Sequence, residues 1–156
     1  MTIKTGELAP TFTLKDSDCK DVSLTDYKGK TSVLLFFPLA FTGVCTEELC
    51  HMRDNFSKYE NLNAEILAIS VDSPFTLAKF KAENKLNFTV LSDFNKDVSQ
   101  AYNAFYEDFV LGLKGVSKRA VFVIDGDGKI QYQEVLDNAG NLPNFTELEN
   151  ALAKLN

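Results

Sequence analysis

The chain has 156 residues, of which 45% are hydrophobic and 24% are charged, and its formal net charge is −6. This length and composition predict one globular domain, residues 1–156, with enough chain to bury a hydrophobic core. The acidic balance argues against nucleic acid or an anionic membrane as main partner, because both need a concentrated basic surface. The first residues lack a secretory signal and no apolar run could span a bilayer, so we expect a cytoplasmic protein.

The first third of the chain predicts a hairpin, a buried strand and a helix. Thr11 to Leu14 and Val22 to Leu24 are strand-like segments on either side of a polar turn, which predicts an N-terminal β-hairpin. The run S-V-L-L-F-F, Ser32 to Phe37, is continuously apolar, as expected of a strand that is buried on both faces. From about Cys45 to Leu62, apolar residues recur at three- and four-residue spacing and predict an amphipathic helix.

Strands and helices go on alternating after Leu62. Glu65 to Val71 reads as a second buried strand, and Phe75 to Asn84 as a helix with Asp72 or Ser73 as its N-cap. Further predicted elements are a strand over Asn87 to Leu91, a helix over Lys96 to Phe105, strands over Ala120 to Ile124 and Lys129 to Val135 joined by the turn Asp125 to Gly128, and a helix over Phe145 to Leu155. This order predicts an α/β fold and resembles the thioredoxin-like three-layer α/β/α sandwich with a mixed central sheet.

The most informative segment is F-P-L-A-F-T-G-V-C-T-E-E-L-C, which ends at Cys50. It places Cys45 where a buried strand gives way to a helix, with Thr42 as the expected N-cap. Unpaired backbone N–H groups and the helix dipole favour a negative charge at a helix start, so a thiolate is favoured there. The Thr42 hydroxyl could also donate to the sulfur, and Pro38 could shield the sulfur from bulk solvent.

A thiolate alone does not make an efficient catalyst. Full ionisation of a free thiol at neutral pH raises the thiolate fraction only about 30-fold, whereas enzymes accelerate reactions by roughly a million-fold or more. The remainder must come from groups that stabilise the developing charge. Arg119, at the start of the strand A-V-F-V-I, is the best candidate for such a fixed cation.

The second cysteine, Cys50, raises a geometric question. In an intact α-helix, residues five positions apart have Cα atoms ~8.6 Å apart on different faces. A disulfide tolerates about 7 Å at most. Either Cys45 and Cys50 never pair, or the first turns of the helix unwind when they do.

These residues also have plainer interpretations. A cysteine can be a small buried hydrophobic residue, and this interpretation is stronger for Cys50 than for Cys45. Cys19 lies in a polar turn and reads as an incidental exposed thiol, while His51 is expected on a solvated helix face. A zinc site built from these residues is disfavoured because the cysteines lack the usual two-to-four spacing. We therefore predict neither a metal nor a cofactor.

The segment P-L-A-F-T-G-V-C resembles the P-x-x-x-T-x-x-C motif of the peroxiredoxins, thiol peroxidases with a thioredoxin-like fold. The resemblance extends over nearly the whole chain, through G-E-L-A-P-T-F-T-L, E-I-L-A-I-S-V-D-S, L-S-D and K-R-A-V-F-V-I-D. F-F-P-L-A-F-T-G-V-C is most similar to the alkyl hydroperoxide reductase E branch. The spacing in C-T-E-E-L-C instead resembles peroxiredoxin Q, also called bacterioferritin comigratory protein.

This resemblance implies roles for individual residues. Cys45 would be the peroxidatic cysteine, Cys50 the resolving cysteine, and Arg119 the activating arginine. Pro38 and Thr42 would shape the site. Glu48 matches a glutamate that the family has near its arginine. The segment from Tyr106 to Lys118 is longer than usual and reads as a pocket rim or an interface.

The resemblance also implies the reaction and its partners. Hydrogen peroxide or an alkyl hydroperoxide would oxidise Cys45 to a sulfenic acid, Cys50 would resolve it as a disulfide, and thioredoxin or a similar thiol would reduce that disulfide. The protein would be a monomer or a homodimer. Two alternatives stay open: a one-cysteine peroxidase recycled by an external thiol, and a peroxide sensor or holdase without efficient turnover.

Overall fold

A seven-stranded mixed sheet forms the centre of the structure, a computed structural model that describes residues 3–156. The strands β1 to β9 are Thr13–Asp16, Asp21–Ser23, Thr31–Phe36, Ala64–Ser70, Thr89–Ser92, Phe105–Tyr106, Val116–Ser117, Arg119–Ile124 and Ile130–Leu136. The helices α1 to α5 are Gly43–Asp54, Phe56–Asn61, Pro74–Glu83, Asp97–Ala101 and Phe145–Ala153, with 3₁₀ turns at Leu24–Tyr27 and Val110–Gly112. The strand order is β2-β1-β5-β4-β3-β8-β9, and β6 pairs only with β7.

The central strands are apolar throughout because both faces of the sheet are covered. Strand β3 runs parallel to β4 and antiparallel to β8. Its alternate residues enter two different cores: Val33 and Leu35 pack in the core that includes residues of α1, α2, α3 and α5, while Leu34 and Phe36 pack in the core that includes residues of α4. Helices on both faces of a mixed sheet confirm the predicted thioredoxin-like three-layer architecture.

The predicted N-terminal hairpin is present with slightly shifted ends. Strands β1 and β2 pair antiparallel, with Thr13 opposite Ser23. The turn between them is held by the Asp16 carboxylate, which accepts hydrogen bonds from the backbone N–H groups of Asp18 and Lys20. The second predicted turn also forms, since the Asp125 N–H donates to the Lys129 carbonyl at the start of the β8–β9 connection.

The predicted helix from Cys45 to Leu62 is two helices, because the chain departs from helical geometry at Asn55. Asn55 has φ −108° and ψ 17°, and its side-chain amide donates to the His51 carbonyl. Asparagine competes with the helical backbone through such local hydrogen bonds. The apolar periodicity continues across the break because α1 and α2 pack on the same core.

The predicted helix over residues 96–105 was too long. Helix α4 ends at Ala101, and Asn103 adopts a left-handed conformation with φ 55°. Asparagine tolerates this conformation better than most residues, so it ends helices readily. The chain then enters β6, and the Tyr106–Lys118 segment forms a small hairpin whose Gly115 N–H donates to the Tyr106 carbonyl.

Two parallel strands bring distant segments to one edge of the sheet. Because β3 and β4 run in the same direction, the residues that follow Phe36 and those that follow Ser70 emerge side by side. The β8 start lies at the same edge, because β8 is antiparallel to β3 and pairs Ala120 with Phe36. Among residues 3–156, no helix has both the length and the apolar character needed to cross a bilayer.

Candidate active site

Cys45 lies at the third position of α1, just beyond the carboxyl end of β3. Thr42 precedes the helix as its N-cap, in an extended conformation, as predicted. The Cys45 side chain is 1% exposed, so the sulfur is almost completely removed from solvent. Pro38 is also buried and lines the same cavity as Cys45. The strand-to-helix corner therefore forms a sheltered place for one thiol.

The Thr42 hydroxyl does not donate to the sulfur, in contrast to the expectation from the sequence. It donates to the carbonyl oxygen of Leu39 at 2.8 Å and so closes the loop before α1. The Thr42 carbonyl in turn accepts from the Thr46 hydroxyl and N–H. The physical reason is local: the loop carbonyl at Leu39 offers a strong acceptor within reach, whereas a thiol is a weak one.

Arg119 lies against Cys45 although 74 positions separate them in the chain. Its Nη2 is 3.3 Å from the Cys45 Sγ, and its Nη1 is 2.9 Å from the Glu48 Oε1. Its Nε and Nη2 also donate to the Ala139 carbonyl at 3.2 and 2.8 Å. Three groups, two on α1 and one in the loop after β9, thus hold one planar guanidinium in a fixed orientation, which only arginine can satisfy.

The charges of this cluster are strongly coupled. Burial acts to lower the pKa of the Arg119 guanidinium, but the negative charges of Glu48 and Cys45 outweigh it and leave the pKa above its ordinary value. Burial raises the pKa of Glu48 to about 7, although Arg119 works in the opposite direction. The Glu48 Oε2 is buried and has no hydrogen-bond partner among the described residues. The arginine is therefore a permanent cation, whereas the carboxyl changes its charge near neutral pH.

A cavity of about 710 Å³ opens above the Cys45 sulfur. Its walls are the loop before α1, the first turn of α1, the segment 106–110, Arg119 and the loop 137–140. Tyr106 fixes one wall to another, because its hydroxyl donates to the Asp137 carbonyl at 2.6 Å. The Tyr106–Lys118 segment thus contributes to a pocket rim, one of its two predicted roles.

Cys50 lies on another part of α1 and is partly buried. Its sulfur is 3.8 Å from the Asn84 Oδ1 at the end of α3. Helix α1 is continuous from Gly43 to Asp54, so the two cysteines keep the ~8.6 Å Cα separation of a regular helix. The thiols of Cys45 and Cys50 are both free, and a disulfide between them requires local unwinding.

Two further sequence expectations have different outcomes. Cys19 is exposed in the β1–β2 turn, as expected. His51 is not on a solvated face: its ring stacks on Phe145 with centroids 3.8 Å apart, and its Nε2 is buried. Helix α5 packs on the same face of the sheet as α1 and covers this side of it, which the spacing in α1 alone does not reveal.

Sequence reasoning missed one contact of the site, the Ala139 carbonyl. No side-chain pattern marks a residue that acts through its backbone. The signal that could have found it is the register of the β8–β9 hairpin. Because Arg119 lies opposite Leu136 in β9, the residues just after β9 lie beside the Arg119 side chain.

Residues 5–133 match the AhpC/TSA family. The chain belongs to that family. Peroxiredoxin Bcp of Escherichia coli K12 is 37% identical over 132 residues, which are 83% of this chain and 84% of that protein. Alkyl hydroperoxide reductase E of Mycobacterium bovis is 41% identical over 136 residues, which are 85% of this chain and 86% of that protein.

Solved structures of peroxiredoxin-like proteins have the same fold. A peroxiredoxin-like protein from Aquifex aeolicus superposes with a TM-score of 0.90 at 27% identity, over 100% of this chain and 90% of that one. Peroxidoxin BcpB from Mycobacterium tuberculosis gives a TM-score of 0.83 at 29% identity, over 98% and 96% of the two chains. The resemblance to peroxiredoxins is thereby confirmed, and with it the class of enzyme, a peroxide-reducing oxidoreductase.

Proposed function

We propose that the protein reduces hydrogen peroxide and organic hydroperoxides at Cys45. The observation that carries this proposal is the 3.3 Å contact between the Arg119 guanidinium and a buried thiol at a helix start. A cation in this position stabilises a thiolate and also an oxyanion that leaves the same place. The cavity above the sulfur is much larger than hydrogen peroxide and is lined partly by apolar side chains, which supports alkyl hydroperoxides as substrates as well.

In the first step the Cys45 thiolate attacks one peroxide oxygen. The S–O bond forms as the O–O bond breaks, the leaving oxygen takes a proton from solvent, and water or an alcohol departs. Sulfur is oxidised to a sulfenic acid while the peroxide is reduced. Arg119 faces the charge that develops on both oxygens. Pro38 and Thr42 border the space that the peroxide would occupy.

In the second step we assign Cys50 as the resolving cysteine. Its thiol condenses with the Cys45 sulfenic acid, forming the S–S bond and releasing water. Helix α1 must unwind over its first turns for this to happen. The first turn of the helix buries only Cys45, since Gly43 is exposed and Val44 and Thr46 are half-buried. A thioredoxin-type dithiol then returns both cysteines to the reduced state by two exchanges.

The remaining expectations are part of the same proposal. Three free cysteines suit a reducing compartment such as the cytoplasm. Both cores pack against the same sheet, which supports one domain over residues 1–156. The protein would act as a monomer or a homodimer.

A one-cysteine cycle is the second candidate, because the Cys50 sulfur faces Asn84 in an unbroken helix. In that cycle an external thiol reduces the sulfenic acid directly. A peroxide sensor or holdase would use the same oxidation at Cys45 but would not turn over rapidly with a reductant.

Stopped-flow measurement of hydrogen peroxide consumption, followed by mass spectrometry, tests the proposal. The wild type should react many orders of magnitude faster than Cys45→Ser and should then lose two hydrogens in mass. Cys50→Ser should react equally fast but stop at the sulfenic acid and lose turnover with thioredoxin. Undiminished turnover of Cys50→Ser would favour the one-cysteine cycle. A fast first reaction without turnover with any thiol would favour the sensor.

A further inference from the structure

One carboxylate outside the sequence motif holds the loop before α1. The Asp72 Oδ2 accepts a hydrogen bond from the backbone N–H of Ala40 at 2.8 Å, across 32 positions of the chain. We propose that Asp72 is a positioning residue for peroxide reduction: it sets the path of the loop Pro38–Thr42 and thereby the space around the Cys45 sulfur. This inference rests on the proposed function.

The loop has few other connections to the sheet. The Phe37 N–H donates to the Ile69 carbonyl at 3.0 Å and ends the pairing of β3 with β4. Pro38 has no N–H to donate. The Thr42 hydroxyl closes the loop on itself through Leu39 and gives no anchor to another element. After the Phe37 bond, the hydrogen bond from the Ala40 N–H to Asp72 is therefore the next one that joins the loop backbone to another part of the chain, within residues 3–156.

Asp72 is itself held by the ends of two strands. The Ser70 hydroxyl, at the end of β4, donates to the same Asp72 Oδ2 at 2.7 Å. The Ser92 hydroxyl, at the end of β5, donates to the Asp72 carbonyl at 2.6 Å. The carboxylate thus fixes the position of the loop relative to the sheet. One oxygen of the side chain accepts hydrogen bonds from both the Ala40 N–H and the Ser70 hydroxyl, which suits an aspartate for this place.

The loop needs such an anchor because its backbone is strained beside the anchor point. Phe41 has φ 67°, which is a left-handed conformation that a bulky residue rarely adopts. Such a residue keeps this conformation only when its surroundings over-determine it. The bond to Ala40 fixes the residue before Phe41, and the Phe41 ring packs edge-on against Phe80 with centroids 5.1 Å apart. Without Asp72, the buried Ala40 N–H would be unpaired and the loop would lose this support.

The test compares two reactions of the same sulfur in a background where Cys19 and Cys50 are serine. Reaction with hydrogen peroxide needs the shaped space around Cys45, whereas alkylation by iodoacetamide needs mainly an accessible, ionised sulfur. Asp72→Ala should lower the peroxide rate constant about 10- to 100-fold, the range expected for a displacement of the order of 1 Å. Its alkylation rate should change less than about threefold. Asp72→Asn keeps an acceptor oxygen and should restore most of the peroxide rate.

Asp93 provides the matched control. It is a buried carboxylate at the end of β5 that caps α4, accepting from the Val98 and Ser99 N–H groups at 3.1 and 2.7 Å. Asp93→Ala should lower the melting temperature without changing the ratio of the two rates. If Asp72→Ala does not fold, Ser70→Ala replaces it as the test, because it removes the hydrogen bond from the Ser70 hydroxyl to the Asp72 carboxylate. It should lower the peroxide rate a few-fold and leave the alkylation rate unchanged.

The outcomes are distinguishable. A wild type that consumes peroxide no faster than Cys45→Ser overturns the proposed function and this inference with it. A fast wild type with an unchanged peroxide rate in Asp72→Ala overturns the inference alone. A parallel fall of the peroxide and alkylation rates in Asp72→Ala also overturns the inference alone. The same holds if Asp93→Ala lowers the ratio of the peroxide rate to the alkylation rate as much as Asp72→Ala does.

Discussion

At the scale of single residues, the site depends on the guanidinium of Arg119. It contacts the Cys45 sulfur, the Glu48 carboxyl and the Ala139 carbonyl, and all three of its nitrogens take part in these contacts. A lysine ammonium offers one charge but cannot reach three partners in a fixed fork. Arg119 therefore contributes a cation held at a fixed position relative to the Cys45 sulfur, and not only a positive charge.

Arg119→Lys should lower the peroxide rate constant about 100- to 1,000-fold, the size of effect seen when one preorganised donor is lost. Stopped-flow mixing with hydrogen peroxide measures it. Arg53→Lys is the matched control, because Arg53 lies near the far end of α1, where its guanidinium contacts Asp54 and the Asn84 carbonyl at the end of α3. An Arg119→Lys protein as fast as the control would show that charge alone suffices.

Glu48 makes stability depend on pH in an unusual direction. Burial raises its pKa from 4.5 to about 7, so between these values the folded protein binds more protons than the unfolded chain. The free energy of unfolding therefore falls as pH rises through this window. At about 1.4 kcal/mol per pKa unit, the contribution of Glu48 to this fall is roughly 3 kcal/mol. The pH dependence of urea unfolding under reducing conditions, wild type minus Glu48→Gln, should show this fall. A difference that is flat or rises from pH 4.5 to 7 would contradict it.

At the scale of elements, α3 contacts α1 next to the second thiol. The Cys50 sulfur lies 3.8 Å from the Asn84 Oδ1, and the Arg53 Nη1 donates to the Asn84 carbonyl at 2.6 Å. Asn84 is the C-cap of α3, where its own amide donates to the Phe80 carbonyl. The end of α3 thus favours the helical form of α1, in which Cys45 and Cys50 cannot bond.

Asn84→Ala should therefore speed disulfide formation by about three- to tenfold, the range for one lost hydrogen bond, while leaving the peroxide reaction unchanged. Quenching at set times after one equivalent of hydrogen peroxide, alkylation of the remaining thiols and mass spectrometry measure the rate. Asn87→Ala serves as control, because its amide donates to the Arg53 carbonyl beyond Cys50, in a part of α1 that need not unwind. Equal rates in the two variants would show that Asn84 does not restrain Cys50.

At the scale of the whole molecule, the hairpin of the Tyr106–Lys118 segment closes one side of the cavity. Its tip carries exposed apolar residues, with Val110 60% and Leu111 93% exposed. Val110 lines the cavity and Leu111 does not, although the two are adjacent. The hairpin therefore presents one apolar side chain to a substrate and another to solvent.

Val110→Asp should lower the rate constant for cumene hydroperoxide about fivefold, through loss of about 1 kcal/mol of apolar contact, and change that for hydrogen peroxide little. Leu111→Asp is the matched control and should leave both rates unchanged. Stopped-flow competition between the two peroxides gives the selectivity directly. Equal selectivity in the two variants would mean that the hairpin does not contact bound substrate.

The sequence by itself determined the class of the fold, the corner at Cys45 and the family. These follow from local properties: the continuous apolar runs of the buried strands, and the placement of a cysteine three residues after a threonine at a helix start. The break at Asn55 and the early end of α4 escaped prediction, because apolar spacing continues through both and only local asparagine conformations interrupt the helices.

Only the tertiary structure decided which distant groups meet at the corner. Arg119 reaches the sulfur because β8 runs antiparallel to β3, and Asp72 reaches the loop because β4 runs parallel to β3. The stacking of His51 on Phe145 and the contact of Arg119 with the Ala139 carbonyl likewise depend on neighbours far along the chain. Sequence spacing specifies contacts within one element, whereas contacts between elements depend on how the strands are ordered in the sheet.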